Sequence, residues 1–287
     1  MDMLISPQDL ADTLDAPDLV VLDASAHLPS AERDAEAEFA KCHIAGARFL
    51  DLGTLTDAAS PVPSALPTGG QVAERLAQLG VEAGSRVVLY DDSAIRSSCR
   101  AFFALTMAGW RDVAVLDARF GVWREQDLPV ESGATETDST NTAVLLADHS
   151  HVRSKLQMHA NIDSGEEQVV DARDAGRFTG DTEDAVHGLP GGHIPGARNL
   201  FFAELLHEDG SFRPREEIAA AFERAGIDPA KPLVTSCGSG MTASVVLFAH
   251  RLLGHDHGAI YDGSWSEWGA DPAMPVETGP VETGEAA

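Results

Sequence analysis

The sequence predicts an α/β fold, with parallel sheets that carry helices on both faces. Three observations predict it. Short apolar runs of strand length alternate with amphipathic stretches of helical period. The whole alternation occurs twice along the 287 residues. A cysteine in a glycine-containing loop falls where a strand gives way to a helix, the place where sites form in such sheets.

The duplication is read from five segments. Val20-Val21-Leu22-Asp23-Ala24 returns as Gln168-Val169-Val170-Asp171-Ala172-Arg173. His43-Ile44-Ala45-Gly46-Ala47-Arg48 returns as His193-Ile194-Pro195-Gly196-Ala197-Arg198, at an offset of 150. Leu79-Gly80-Val81 returns as Ala225-Gly226-Ile227, and Val87-Val88-Leu89-Tyr90-Asp91 as Leu233-Val234-Thr235-Ser236-Cys237, both at 146. Leu116-Asp117 with Trp123 returns as Tyr261-Asp262 with Trp268, at 145. Constant order with so little drift marks a repeated unit.

In the second unit, residues 169–171 read as a strand and residues 193–197 as a turn into another. Residues 215–225 form a helix, with Ile218, Ala221 and Phe222 on one face. Pro214 suits its first turn and Gly226 lies just past its end. A strand to Ser236, a loop over 237–242, a helix over 243–253 and a strand ending at Tyr261-Asp262 follow. The expected organisation is a first domain over 1–134, a linker over 135–150 and a second domain over 151–287. Residues 132–141 are polar and lack periodicity. Residues 277–287 read as an acidic, poorly ordered tail.

Composition excludes several classes. With 20 basic against 46 acidic residues, the formal charge is −26, which repels nucleic acid and anionic membranes. No apolar stretch approaches the roughly 20 residues of a membrane span, and the N-terminus lacks the pattern of a signal peptide. Three cysteines, Cys42, Cys99 and Cys237, suit neither a disulfide framework nor a zinc site. A reducing cytoplasm is the expected location, with no metal and no cofactor. Lysine occurs only at 41, 155 and 231, and the acidity fits either a soluble mesophilic protein or a salty cytoplasm.

Cys237 carries the chemistry. It ends an apolar run and opens the loop Gly238-Ser239-Gly240-Met241-Thr242, which leads into a helix. The two glycines permit backbone angles closed to other residues. Successive inward N–H groups make an anion nest, to which the helix adds the positive end of its dipole. Such a setting lowers a thiol pKa from about 8.5 by roughly one to several units. The expected product is a nucleophilic thiolate in a place that tolerates a second, sulfur-borne charge. In the first unit Asp91 stands at the matching position, followed by a loop without glycine. A carboxylate carries no sulfur and does not suit an anion nest, so this copy is expected to be non-catalytic. Cys99 lies in a helix pattern and reads as core, and Cys42 has no site signature.

These segments together resemble the tandem-domain rhodanese family over nearly the whole chain, including the His193-Ile194-Pro195-Gly196-Ala197 turn and residues 261–269. The loop is similar to that of the mercaptopyruvate-using branch rather than the thiosulfate-using one, which carries Arg and Lys after the cysteine. The resemblance implies two tandem rhodanese-like domains and a two-step sulfur transfer. Cys237 takes sulfur from a small anionic donor, 3-mercaptopyruvate or thiosulfate, and passes it to a thiol, cyanide or a thioredoxin-like acceptor. It implies that Arg177 holds a donor carboxylate and that Gly238, Ser239, Gly240, Met241 and Thr242 line the substrate. Arg173 belongs to a structural Asp-x-Arg element. His193 steadies its turn, and Trp265 and Trp268 pack the domain. Three family groups are replaced: a second substrate arginine by Val186, beside His187, and an acid and a histidine of the first domain by Gly53 and Ser64. Those replacements favour the alternative of a non-catalytic binding or persulfide-sensing module. A phosphatase of this fold needs Cys-x5-Arg, and residue 243 is alanine.

Overall fold

The computed structural model describes residues 1–135, 137–141 and 143–280. The chain divides into two compact units. Met1–Ala59, Leu66–His149 and His207–Phe212 form the first; Ser60–Ala65, Ser150–Leu206 and the chain from Arg213 form the second.

The first unit contains β1 (Leu4–Ile5), β2 (Leu19–Asp23), β3 (His43–Ile44), β4 (Arg48–Phe49), β5 (Arg86–Tyr90), β6 (Val113–Leu116) and β7 (Val130–Glu131). Its helices are α1 (Pro7–Ala11), α2 (Ala35–Lys41), α3 (Gly69–Gln78), α4 (Ser98–Ala108) and α5 (Phe120–Glu125). The second contains β8 (Val152–Arg153), β9 (Gln168–Asp171), β10 (Arg198–Asn199), β11 (Leu233–Ser236) and β12 (Ala259–Tyr261). Its helices are α6 (Lys155–Ser164), α7 (Ala175–Thr179), α8 (Arg215–Arg224), α9 (Ala243–Leu252) and α10 (Ser264–Trp268).

The two main sheets have one topology. Strand order is β1-β6-β5-β2-β4 in the first unit and β8-β12-β11-β9-β10 in the second, all parallel. The central strands are buried on both faces, which is why they read as unbroken apolar runs rather than alternating ones. The cores match residue for residue. Val21, Phe39, Ile44, Val88 and Trp123 cluster in the first unit; Val169, Phe178, Ile194, Val234 and Trp268 cluster in the second. In each, a buried histidine stacks on a phenylalanine at a centroid distance of 3.8 Å: His43 on Phe39 and His193 on Phe178. Each ring also hydrogen-bonds the carbonyl of that phenylalanine, at 2.7 and 2.8 Å. His193 is therefore a turn-fixing residue, and Trp265 and Trp268 are buried as expected.

Helix boundaries follow local chemistry. Pro214 precedes α8 and the C-cap is Ala225, followed by Gly226 at φ +71°. The expected loose tail does not begin at 277. Glu277 exchanges backbone hydrogen bonds with His193 at 2.8 and 3.0 Å, and Gly279 N–H donates to Thr179 at 2.7 Å. The same edge is covered in the first unit by β7, whose Glu131 pairs with His43. The segment is a second copy of that strand, hidden by its acidic composition. Residues 281–287, the rest of the expected tail, lie outside the described residues.

Candidate active site

The sequence places Cys237 at the carboxyl end of the central strand β11, immediately before α9, and it is 2% exposed. Its surroundings are built by the turn after β12. Ser264 stands at φ +48°, an unusual angle for a non-glycine residue. Its hydroxyl accepts the Cys237 N–H at 3.1 Å and donates to the Tyr261 carbonyl at 2.8 Å. The Cys237 carbonyl accepts from Trp265 N–H at 3.0 Å, and the Gly238 carbonyl from Ser266 N–H at 2.8 Å. Both carbonyls are thus tied to α10. Among the described residues, the N–H groups of Gly238, Ser239, Gly240, Met241 and Thr242 have no protein acceptor. These five donors lie between the buried cysteine and the amino end of α9, where the helix dipole favours negative charge.

The glycines act differently from one another. Gly240 takes φ +78°, as expected of a residue that turns the loop. Gly238 is not in the left-handed region, contrary to expectation. It is needed because the His187 ring packs on it: a Cβ there would stand 2.9 Å from Nδ1. Ser239, Met241 and Thr242 form the half-buried rim. The Thr242 side chain makes no capping bond to α9; Ser244 Oγ instead donates to the Gly240 carbonyl at 2.9 Å.

Behind the loop lies a charge network. Asp184 is fully buried; its Oδ1 lies 2.9 Å from His187 Nδ1 and 3.6 Å from Arg177 Nη1, and its Oδ2 lies 3.6 Å from Arg173 Nη1. Burial disfavours its charge, but the His187 hydrogen bond and the nearby cations outweigh burial and hold its carboxyl below the usual range. Arg173 bonds Asp171 through Nη2 at 2.6 Å, donates to the Gly192 carbonyl at 2.6 Å and stacks over Trp265. It is the structural element the sequence suggested. Desolvation works against its charge, and Asp171 and Asp184 sustain it. Arg177 donates through Nε to Asp174 at 2.6 Å. Of the residues singled out in sequence, Arg177 and the loop are thereby joined through Asp184 and His187. Val186 is 40% exposed.

Sequence reasoning missed Asp184 and Ser264 and noted His187 only as the neighbour of Val186. The spacing of Asp184 and His187, three residues apart, was a visible signal. Ser264 had none, since its role depends on a backbone angle.

The other thiols differ. Cys99 is fully buried in α4, and burial pushes it up to about 12, as befits a core residue. The matching site in the first unit is filled by its own side chain. Asp91 Oδ1 accepts from Ser93 N–H at 2.9 Å; Oδ2 accepts from Ser98 N–H at 3.2 Å and from Arg96 Nη1 at 3.0 Å. The expectation that a carboxylate does not suit this nest is therefore corrected. With Arg96 buried beside it, the carboxylate is the anion the nest holds.

A buried cysteine at a strand end, followed by a loop of amides without protein acceptors, marks the class of α/β proteins that place a thiol at the mouth of a helix. A family model described as "Rhodanese-like domain" matches residues 6–126 and 154–271. The chain is 39% identical over 271 residues to a 3-mercaptopyruvate sulfurtransferase of Mus musculus, covering 92% of this chain and 91% of the relative. It is 39% identical over 254 residues to a thiosulfate sulfurtransferase of Gallus gallus, covering 87% and 86%. Among solved structures, SseA of Escherichia coli, described as a 3-mercaptopyruvate sulfotransferase, superposes with a TM-score of 0.84 at 32% identity, covering 92% of this chain and 99% of that one. The chain belongs to the rhodanese family. Sulfur transfer is the activity these relatives support. No helix among the described residues is long and apolar enough to cross a membrane.

Proposed function

We propose that Cys237 is the nucleophile of this sulfurtransferase and carries the sulfur as a persulfide. The Cys237 thiolate attacks the sulfur of a small anionic donor. With 3-mercaptopyruvate, an S–S bond forms, the C–S bond breaks, and the departing enolate takes a proton to become pyruvate. With thiosulfate, the donor S–S bond breaks and sulfite leaves. An acceptor thiolate, cyanide or a thioredoxin-like protein then attacks the outer sulfur and returns Cys237 as thiolate. The loop amides stabilise the charge in both states, as an oxyanion hole does. Arg177 is the group for a donor carboxylate. Its Nε is held by Asp174, which aims the rest of the guanidinium.

The observation that carries this reading is the run of five loop amides without protein acceptors, among the described residues, that directly follows a buried cysteine. Incubation with each donor followed by intact mass spectrometry tests it. The parent chain is expected to gain one sulfur atom, lost again on addition of a thiol, whereas Cys237→Ser gains none and has no turnover. Sulfur loading that survives in Cys237→Ser would refute the assignment. A parent chain that never loads sulfur would make the protein a non-catalytic member of its family.

A further inference from the structure

We propose that His250, His255 and His257 form a binding site for a divalent transition-metal ion of the zinc type. The three side chains converge where α9 ends and the chain returns to β12. Their ring centroids are 5.1, 5.1 and 5.4 Å apart, and one nitrogen from each lies within 4.8 Å of the others.

His250 is the anchor. It projects from the last turn of α9 and is fully buried. Its Nε2 lies 2.9 Å from the Pro229 carbonyl. A carbonyl accepts only, so the ring proton sits on Nε2 and Nδ1 presents a bare lone pair. Nδ1 is buried and has no hydrogen-bond partner. An orphaned acceptor of this kind costs free energy unless something fills the position. The arrangement is that of metal-bound histidines generally, in which the second ring nitrogen is fixed by a carbonyl. Gly258 keeps the space open, since a Cβ there would stand 2.8 Å from Nδ1.

His255 and His257 sit on the connecting loop, the first half-buried and the second exposed. Tetrahedral zinc binds nitrogen at about 2.0–2.1 Å, so its ligands stand roughly 3.4 Å apart. His257 Nε2 lies 3.3 Å from the Lys231 carbonyl, which leaves its Nδ1 for the ion, and rotation of the two loop rings would close the difference while His250 stays fixed. Three neutral imidazoles select Zn, Cu or Ni over Mg or Ca. The exposed His257 leaves a fourth position to water. The carboxyl end of α9 adds the negative end of its dipole, which favours a cation. The catalytic loop adjoins the opposite end of this helix, about 15 Å away at 1.5 Å per residue. The ion therefore takes no part in sulfur transfer; it pins α9 to the start of β12.

Calorimetric titration of Zn2+ into the full chain tests this, with Cys237→Ser as the parent so that no reactive thiolate competes. One ion per chain is expected, with a rise in melting temperature. In the same background, His255→Ala/His257→Ala is expected to bind at least a hundredfold more weakly and to show no such rise. His257→Ala alone, a change at an exposed residue, should lose at least tenfold. Co2+ should give the visible spectrum of a four-coordinate ion in the parent only. Equal Zn2+ uptake by parent and variants, or no stoichiometric uptake by the parent, would overturn the site.

Discussion

The imidazole of His187 rests on the α-carbon of Gly238, so close that no side chain at 238 fits beneath it. The ring is not free to step aside, because Nδ1 is tied to the buried carboxylate of Asp184. Gly238→Ala should therefore push the ring off and break that hydrogen bond, costing about 1–3 kcal/mol in stability and lowering kcat/KM. His187→Ala should leave the fold standing but, by taking from Asp184 one of its three partners, loosen Arg177 and raise KM for the donor. The double variant should recover stability relative to Gly238→Ala, a coupling read from urea melts of all four proteins. Strict additivity would show that the two residues act independently.

Arg177→Ala should raise KM for a carboxylate-bearing donor by about tenfold to a hundredfold, from the roughly 1.5–3 kcal/mol of a charged hydrogen bond. The transfer of sulfur from the loaded enzyme to a thiol should change little. Arg177→Lys keeps the charge without the planar fork and should fall between the two. Steady-state kinetics on the donor, set against single-turnover transfer from the persulfide, separates the steps. Unaltered donor kinetics in the alanine variant would reduce Arg177 to a partner of Asp174 and Asp184.

Asp23 holds in the first unit the place that Asp171 holds in the second, but residue 25 is serine where residue 173 is arginine. Without that cation, burial dominates and pushes the Asp23 carboxyl up to about 6 from 3.8, against the hydrogen bonds from Ser25. A group whose pKa is raised on folding favours the folded state fully below its unfolded value. That contribution is lost as pH climbs from about 4 through 6. Asp23→Asn removes the ionisation and keeps an acceptor for the Ser25 N–H, now bonded at 2.9 Å. The variant should be more stable than the parent above pH 6, by about 2–3 kcal/mol at 1.36 kcal/mol per pKa unit. The gap should close below pH 4. Denaturant midpoints across this range are the measurement, and parallel curves would contradict it.

Salt should stabilise the protein. At −26 formal charge, like-charge repulsion opposes compaction. The Debye length falls from about 10 Å at 0.1 M to about 3 Å at 1 M, which quiets repulsion between surface groups. The melting temperature should rise from dilute buffer to molar potassium chloride. The rate should climb less, because salt also screens attraction between Arg177 and an anionic donor. A flat melting temperature would leave the acidity as a matter of solubility.

The α/β fold and its duplication were legible because each depends on local pattern: apolar runs, the His-Ile-x-Gly-Ala turns and the strand that ends at residue 237. The cysteine loop was legible for the same reason. The strand-like pairing of Glu277 with His193 was not, since two-residue edge segments carry no period and an acidic composition suggested a tail. The burial of Asp184 was equally hidden. Residues 181–184 look like a solvated acidic stretch, and only the arrival of Arg173 and Arg177 from elsewhere makes the last of them a core residue. Gly238 is required by the His187 ring above it and not by a left-handed backbone angle, which its sequence context cannot reveal.

The carboxylate of Asp91 makes a thiol hard to install in the first unit. Replacing Asp91 with cysteine would supply the atom but strand Arg96, a buried cation whose ion pair would be gone. Breaking such a pair costs about 3–5 kcal/mol. Ser93 and Ser98 would lose their acceptor in the same step. A thiol site would need the cysteine, the removal of Arg96 and the arrival of glycine together, since each change alone is penalised. The two halves are held apart by a ratchet: a thiol on one side, and on the other a pocket that carries its own counterfeit ligand.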